Sequence, residues 1–559
     1  MLKGILLLLG LLVFSTNAQE TNWDALFDHE QYHNAKISPD GKYLAVAYTV
    51  EDRTALAVLD LDTMKAAGKV AFRNNEEIGQ YRWANNERLV ININKRLSSR
   101  EQPVFRGELY AVNYDGSKGE LIFGYRTQGG TGTKLKKKDA IFGWAEIIDT
   151  LPEDKEHILI SSTPMSTTGE KFASVYKLNI YNGKVKNQRA TAPISFSQFL
   201  TDNNGQVKAM VGQNKSADNI LYLYNDNKWN KVVDSKIGKS VSPISIDPSG
   251  KYLYTFDNYE QNLRGIFRLN LDTFAYENVF TDKNVDLTYA AMTTDGRTAY
   301  AVRVDDGYPS YIILNNQLEE AKVFKQLVKT FPYSEVLITS KTDNGEKYVV
   351  LVSSDVDPGT LYLYDKKQSK LSFLFKFNPT FKKEQFFQVE PIKLTSSDDK
   401  NINGYFTDAS IKKGEPAPVV VLVHGGPHGV RDHWTYSSQV QYLAASGYSV
   451  LQVNYRGSGG YGAEFESAGY KSWGTKIQQD IHEAYQWLVK KKKVPANQVC
   501  IMGASFGAYS AIQSAAIYPD TYKCAIANAG IYDLELMFEE GDIQKRKSGQ
   551  AFLQKVLGT

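Results

Sequence analysis

Cysteine is nearly absent from this chain: only Cys500 and Cys524 occur among 559 residues. A disulfide framework is therefore excluded, and burial of apolar side chains must hold the fold. Each cysteine lies in an apolar run that reads as a buried strand, so both read as core thiols. They could fall on neighbouring strands, and an oxidising compartment would then permit a bridge. Histidine is scarce too, with seven in all, and no His/Cys/carboxylate spacing suits a metal ion. Neither a metal nor another cofactor is expected. Charge of one sign is also lacking. Lys and Arg number 65 against 62 Asp and Glu, a formal net charge of +3, which gives no reason to invoke nucleic acid or an acidic membrane. The runs Lys136–Lys138 and Lys490–Lys493 read as solvated charge, the second suiting a helix C-terminus.

Long apolar runs are missing except at the N-terminus. There Lys3 precedes the run Ile5 to Phe14, and Thr16-Asn17-Ala18 follows. This pattern reads as a secretory signal peptide cut after Ala18, because the run is about half of what a membrane span needs. The expected protein is exported, periplasmic or secreted, without stable membrane insertion. Hydrophobic residues at 42% and charged residues at 23% are ordinary for globular chains, and the length calls for more than one domain.

From about 25 to 380 a unit repeats: a turn rich in Pro, Asp, Asn and Gly, then a β-rich run. The turns are Pro39-Asp40-Gly41, Ala84-Asn85-Asn86, Pro152-Glu153-Asp154, Asn203-Asn204-Gly205, Pro248-Ser249-Gly250, Thr294-Asp295-Gly296 and Asp343-Asn344-Gly345. Intervals between their last residues are 45, 68, 51, 45, 46 and 49, mostly one four-stranded propeller blade. Each unit holds a second alternating run, such as Ala55–Leu61 or Leu361–Tyr364. Seven units predict a seven-bladed β-propeller, with the 68-residue interval holding a long loop around Gly129 to Lys138. Stacked two-stranded sandwiches are the alternative; the regular period disfavours them. The Gly129–Lys134 stretch lacks the spacing of a phosphate loop.

After about residue 385 short apolar runs alternate with helical segments, the pattern of a parallel sheet wrapped by helices. Strands are expected at Pro418–Val423, Tyr448–Tyr455, Gln498–Met502 and Cys524–Ala529. Helices are expected at Asp432–Ser446, Lys471–Lys492 and Phe506–Tyr518. The region 385–559 thus reads as an α/β domain.

The sharpest chemical signal is Gly503-Ala504-Ser505-Phe506-Gly507, which follows one of these strands and opens a helix, as a nucleophile elbow requires. Glycine is needed two positions either side because the chain reverses too tightly for side chains. Ser505 is the candidate nucleophile. The second signal is His424-Gly425-Gly426-Pro427-His428 at the carboxyl end of a strand, where open α/β sheets place their crevice. Acyl transfer puts negative charge on a carbonyl oxygen, and two backbone N–H groups commonly hold it. Phe506 should supply one; Gly426 should supply the other, with Gly425 as alternate.

These two motifs, with Asn454-Tyr455-Arg456-Gly457-Ser458-Gly459-Gly460-Tyr461-Gly462 between them, resemble the prolyl oligopeptidase family, nearest its acylaminoacyl-peptidase-like branch. Ser354-Asp355-Val356-Asp357-Pro358 resembles that family's last blade. The resemblance implies a propeller capping an α/β-hydrolase, with short peptides reaching Ser505 between the domains. Ala508 stands where the family usually has glycine. A larger departure concerns the triad, whose order is Ser, acid, His. Of the 54 residues after Ser505 none is histidine, and Asp533 matches a non-catalytic family position. The expectation is an incomplete hydrolase domain without its triad Asp and His, hence nearly inactive. His424, His428 and His433 are weak substitutes, His482 lies upstream on a helix, and His29, His33 and His157 read as propeller surface.

Three functions follow. A serine peptidase acting on short peptides is the leading one. A peptide- or protein-binding propeller with a relic hydrolase is the second, and an esterase the third, disfavoured by the propeller. Glu76-Glu77 is the one acidic pair in the propeller suggestive of amino-terminus recognition, and it reads as a solvated turn.

Overall fold

The Pro/Asp/Asn/Gly turns are the hairpins between the first and second strand of each blade, and their chemistry explains the repeat. Asp40 accepts the N–H of Lys42, and Asp247 those of Ser249, Lys251 and Tyr252. Gly41 and Gly250 follow at φ +77° and +71°, which a side chain would resist. In this computed structural model residues 30–98, 102–128, 141–380, 382, 385–410, 416–492 and 494–558 are described. The signal segment at 1–18, His29 and the long loop around Gly129 to Lys138 lie outside them. No helix among the described residues is long and apolar enough to cross a membrane.

Seven antiparallel sheets occupy residues 32–70, 76–123, 143–191, 195–231, 242–280, 290–313 and 335–376. Six have four strands in sequence order; the sixth sheet has three. After it comes a helix, Glu319–Thr330, that periodicity-based reading as a four-stranded unit missed. Ala321, Val323, Phe324 and Leu327 bury one face of it against Tyr300 and Tyr311. First and last blades share no strand. They join through a common core of Ile37, Leu44, Val349 and Leu361 and through the N–H groups of Gln31 and Tyr32 on the Phe377 carbonyl. On the turn face, Arg297 of the sixth blade reaches Asp149 of the third (3.3 Å) and the Asp202 carbonyl of the fourth (2.8 Å).

The second layer of the protein is a six-stranded sheet. From one edge it runs Val389–Thr395, Asn401–Thr407, Ser449–Asn454, Val419–Val423, Val499–Ala504 and Cys524–Asn528. The last four are mutually parallel. Val419, Val421, Leu451, Val453 and Ile501 are buried on them, each contributing roughly 1.5–3 kcal/mol. Helices Ser438–Ala445, Lys476–Lys492 and Phe506–Ile517 pack on this sheet. Two helix starts differ from expectation. Residues 432–437 form a loop ending in the N-cap Ser437, and Lys471 and Gly474 adopt φ +56° and +74°, which delays the next helix to Lys476. The cysteines also differ. Cys500 and Cys524 face each other on adjacent parallel strands and form a disulfide, Cα atoms 4.7 Å apart. Cys524 is exposed, as is much of its strand, because that strand lies at the sheet edge.

Hydrogen bonds and ion pairs from the fifth, sixth and seventh blades hold the two layers together, the seventh through Asp355, which accepts the Val389 N–H at 2.7 Å. Asn262 accepts the N–H of Glu464 at 2.8 Å, and Asp286 that of Gly462 at 3.2 Å. Tyr405 donates to the Gly307 carbonyl. Asp305 is the hub: Arg431 lies 2.9 Å and His433 2.6 Å from its carboxylate. Burial alone would raise the Asp305 pKa, but His433 and the Arg431 guanidinium hold it below its ordinary value. The Arg431 and Asp305 side chains are only 5% and 8% exposed, so removing Arg431 strips a buried carboxylate of its guanidinium and leaves it His433 and, at 3.9 Å, Arg303. Arg431→Ala should destabilise the protein by about 3 kcal/mol, read from chemical denaturation; a loss below about 1 kcal/mol would mean the pair adds little.

Candidate active site

Ser505 sits between the strand Val499–Ala504 and the helix Phe506–Ile517, as the N-cap, with φ 55° and ψ −122°. A non-glycine residue rarely adopts this conformation, and holding it costs of order 1–3 kcal/mol. The surroundings enforce it. A Cβ on Gly503 would lie 2.4 Å from the Gly507 carbonyl carbon, and one on Gly507 would lie 2.2 Å from the Val423 oxygen. The Ser505 N–H donates to the Asn528 carbonyl at 3.0 Å, and Ala508 and Tyr509 return N–H groups to its own carbonyl. Its side chain is exposed, standing at the positive end of a three-turn helix.

The glycine loop flanks it. A Cβ on Gly425 would come 3.6 Å from Ser505 Cβ, so Gly425 is the loop residue in direct approach. Gly426 has φ +113° and is exposed. The Gly425 carbonyl accepts from His424 Nδ1 at 2.8 Å, so Nδ1 carries the proton. The Gly426 N–H, antiparallel to that carbonyl across a trans peptide, points away from the imidazole. No hydrogen bond among the described residues occupies the Gly426 or Phe506 N–H.

None of the histidines hydrogen-bonds to Ser505 among the described residues. His424 Nε2 accepts from Ser458 Oγ at 3.1 Å, and the ring stacks on Tyr455. His428 accepts from Trp473 Nε1 at 3.2 Å. His433 is committed to Asp305, and His482 stacks on Tyr518. His157, expected at the surface, is buried and held by Asp154 at 3.0 Å; His33 is half-buried against Thr49. Glu76 and Glu77 open a strand and do not form a solvated turn. Arg126 pairs with Glu76 and Glu108, and Arg96 with the buried Glu77.

Sequence reasoning assigned no role to Arg456. Its buried guanidinium joins Asp480 on the helix Lys476–Lys492, at 2.6 and 2.8 Å, to Asp398 in a hairpin, at 2.8 Å. Burial raises the Asp480 pKa against Arg456; hydrogen bonding to Arg456 lowers that of Asp398. The triad anchors the loop whose Ser458 orients His424. The glycines around Arg456 were its only visible signal.

Residues 434–551 match the Prolyl oligopeptidase family model. That segment is a prolyl oligopeptidase family domain. It is similar to dipeptidyl aminopeptidase BIII of Pseudoxanthomonas mexicana, 25% identical over 525 residues that cover 92% of this chain and 72% of that protein. Among solved structures, puromycin hydrolase superposes with a TM-score of 0.68 at 14% identity, over 97% of this chain and 83% of that one. An acylaminoacyl peptidase in complex with Z-Gly-Gly-Phe-chloromethyl ketone superposes with a TM-score of 0.54 at 19% identity, over 94% and 74%. The two superpositions establish the shared propeller–hydrolase fold.

Two outcomes follow for this site. Gly507→Ala gains helix propensity of about 1 kcal/mol, yet its Cβ has only backbone to meet. It should lower stability by roughly 2 kcal/mol and displace Ser505; an unchanged melting temperature would show that the helix can shift freely. Burial lowers the His428 pKa to about 4, so between that value and the ordinary 6.5 the unfolded chain takes up a proton that the folded one refuses. Stability should therefore fall as pH drops from 6.5 to 4. His428→Asn should flatten that segment of the pH–stability curve, and an unaltered slope would exclude His428 as its source.

Proposed function

We propose that this protein hydrolyses short peptides through an acyl-enzyme formed at Ser505. Ser505 Oγ attacks the scissile carbonyl carbon; the N–H groups of Phe506 and Gly426 take the developing oxyanion, aided by the helix dipole. The scissile C–N bond then breaks, the amine leaves with the proton given up by the Ser505 hydroxyl, and the acyl group stays on Ser505 as an ester until water adds to it and releases the acid. The observation that carries this reading is the exposed serine held at φ 55° by glycines that no side chain could replace. A relic would have no reason to retain such strain. The peptide-based chloromethyl ketone borne by the similar acylaminoacyl peptidase supports a peptide substrate. The Cys500–Cys524 disulfide supports an oxidising, exported location.

The finer part of the reading is that these 559 residues alone turn over slowly. The histidines are engaged elsewhere, and a serine hydroxyl without a base is a poor nucleophile at neutral pH. A fluorophosphonate probe should label the chain slowly at Ser505, faster when imidazole is added as an external base, and not at all in Ser505→Ala. Labelling that is fast without imidazole would mean a base already serves Ser505. Absence of labelling under both conditions would overturn the peptidase reading in favour of a binding protein.

A further inference from the structure

The walls between the second and third blades are shaped by two irregularities in strand pairing. On Glu76–Trp83, Ile78 faces Ile93 and Tyr81 faces Ile91, so Gly79 and Gln80 together oppose Asn92. On Val104–Asn113, Phe105 faces Asn94 and Leu109 faces Asn92, so Arg106, Gly107 and Glu108 together oppose Ile93. Bulges of this kind re-aim side chains beside binding sites. Neither glycine has room for a side chain. A Cβ on Gly79 would lie 2.6 Å from the Asn94 carboxamide oxygen, and one on Gly107 would lie 2.3 Å from the Gly143 carbonyl oxygen and 2.8 Å from Trp144 Cα. The first glycine seats the Asn94 side chain beside the bulge that carries Gln80. The second lets the other bulged strand lie against the third blade at Trp144.

Between these walls opens a cavity of about 560 Å³, an ordinary size for a ligand site. It reaches the hydrolase-facing end of the propeller. In the fifth, sixth and seventh blades the hairpin between second and third strands carries Asn262, Gly307 and Asp355, which contact the hydrolase layer. Asn94 and Phe105 flank the corresponding hairpin of the second blade, and Thr163 that of the third; all three line the cavity.

The lining is polar and uncommitted. The carboxamides of Gln80, Asn92 and Asn94 share it with Arg82, Glu146 and Ser161, and among the described residues none of these side chains makes a hydrogen bond or ion pair. Elsewhere in the propeller Asn85, Asn179, Asn214 and Asn270 each accept a backbone N–H. Ser161 is only 5% exposed, and leaving so covered a hydroxyl unbonded has a cost that a ligand would remove. One cation, Arg82, and one carboxylate, Glu146, leave the lining without net charge, so it favours a neutral occupant. Each carboxamide offers an acceptor oxygen and two N–H donors, the complement of a peptide group with its one N–H and one C=O. Phe105 and Trp144 add apolar surface.

We propose that this cavity holds the main chain of a peptide, through hydrogen bonds from Gln80, Asn92, Asn94 and Ser161 to its N–H and C=O groups, whatever the charge of its side chains. That the occupant is a peptide rests on the peptidase reading and on the cavity's place at the hydrolase-facing end. That it is held by its main chain rests on the uncommitted carboxamides and the balanced charge around them.

The test uses the full chain carrying Ser505→Ala, so that no peptide is consumed, and calorimetric titration with an alanine–glycine hexapeptide blocked by acetyl and amide groups. A counterpart N-methylated at alternate residues keeps the carbonyls but loses N–H donors. It should bind about fivefold more weakly, the effect of one net hydrogen bond. Exchanging one alanine for lysine or for glutamate should move the affinity by less than about twofold. Asn92→Ala and Asn94→Ala should each weaken binding of the unmethylated peptide about fivefold, and the penalty for N-methylation should shrink in the same variants, which a purely structural role would not produce. Arg82→Gln combined with Glu146→Gln should leave the affinity within about twofold. Equal binding of the methylated and unmethylated peptides, a tenfold response to the inserted charge, or no binding of the blocked peptide would each overturn the proposal. Maltotriose binding more tightly than the hexapeptide would assign the cavity to carbohydrate and overturn the peptide assignment. Fluorophosphonate labelling of Ser505 in the unsubstituted chain reads the peptidase assignment separately. Labelling without peptide binding removes this subsite alone, and peptide binding without labelling removes the peptidase reading alone.

Discussion

The contact between the Val423 carbonyl and Gly507 is the constraint around which the site is arranged. Strand Val419–Val423 pairs in parallel with Val499–Ala504, Val423 beside Gly503. The helix that follows must double back across the end of that pair. With only hydrogen at Gly503 and Gly507, the strand and the helix can approach within backbone contact, and Ser505 is left at the apex of the reversal. Its positive φ is then a consequence of the packing and not a free choice. The strain is held by buried surroundings: Phe506 and Ala508 are fully buried on the inner face of the helix, and Trp473 packs edge-on against Phe506 with ring centroids 4.5 Å apart.

Behind the elbow lies a polar layer that has to be satisfied because it is buried. Arg456 gathers two carboxylates, Tyr455 donates to the His424 carbonyl at 3.0 Å, and Ser458 fixes the outer nitrogen of the His424 ring. These bonds lock the imidazole into one tautomer, and that tautomer turns the Gly425 carbonyl toward it. The orientation of the glycine loop beside Ser505 is thus set by hydrogen bonding several residues away. The same commitment removes His424 from service as a base. Its lone pair is already occupied by a hydroxyl.

The propeller follows a different logic. Each blade closes on itself through antiparallel pairing, and its carboxamide or carboxylate turns satisfy their own N–H groups. Blades therefore meet their neighbours through apolar packing and a smaller number of polar links, such as those of Arg297. This modularity is why the sixth blade can end in a helix without disturbing the ring. The contacts to the hydrolase layer described above come from the fifth to seventh blades, with Asp305 paired to Arg431 and His433.

Much of this was legible in the residues. The Asp-Gly and Asn-Gly turns mark the blade hairpins because turn chemistry is local, and alternating Tyr, Leu, Val and Ile mark their strands. Gly503 to Gly507 identifies the elbow because no other residue type permits so tight a reversal. The helix Glu319–Thr330 was also readable, from Ala321, Phe324 and Leu327 on one face, but the blade period masked it. What the residues could not state is which distant groups meet. The pairing of Cys500 with Cys524 depends on strand order, the burial of His157 on blade packing, the ion pairs of Glu76 and Glu77 on arginines 19 and more residues away, and the isolation of Ser505 from the histidines on where each ring finds its own partner. Local sequence determined the turns, the strands and the bend at Ser505, since those follow from backbone sterics and periodicity. Tertiary structure alone decided which charges are neutralised and by which partners, because electrostatic partnership is set by proximity in three dimensions.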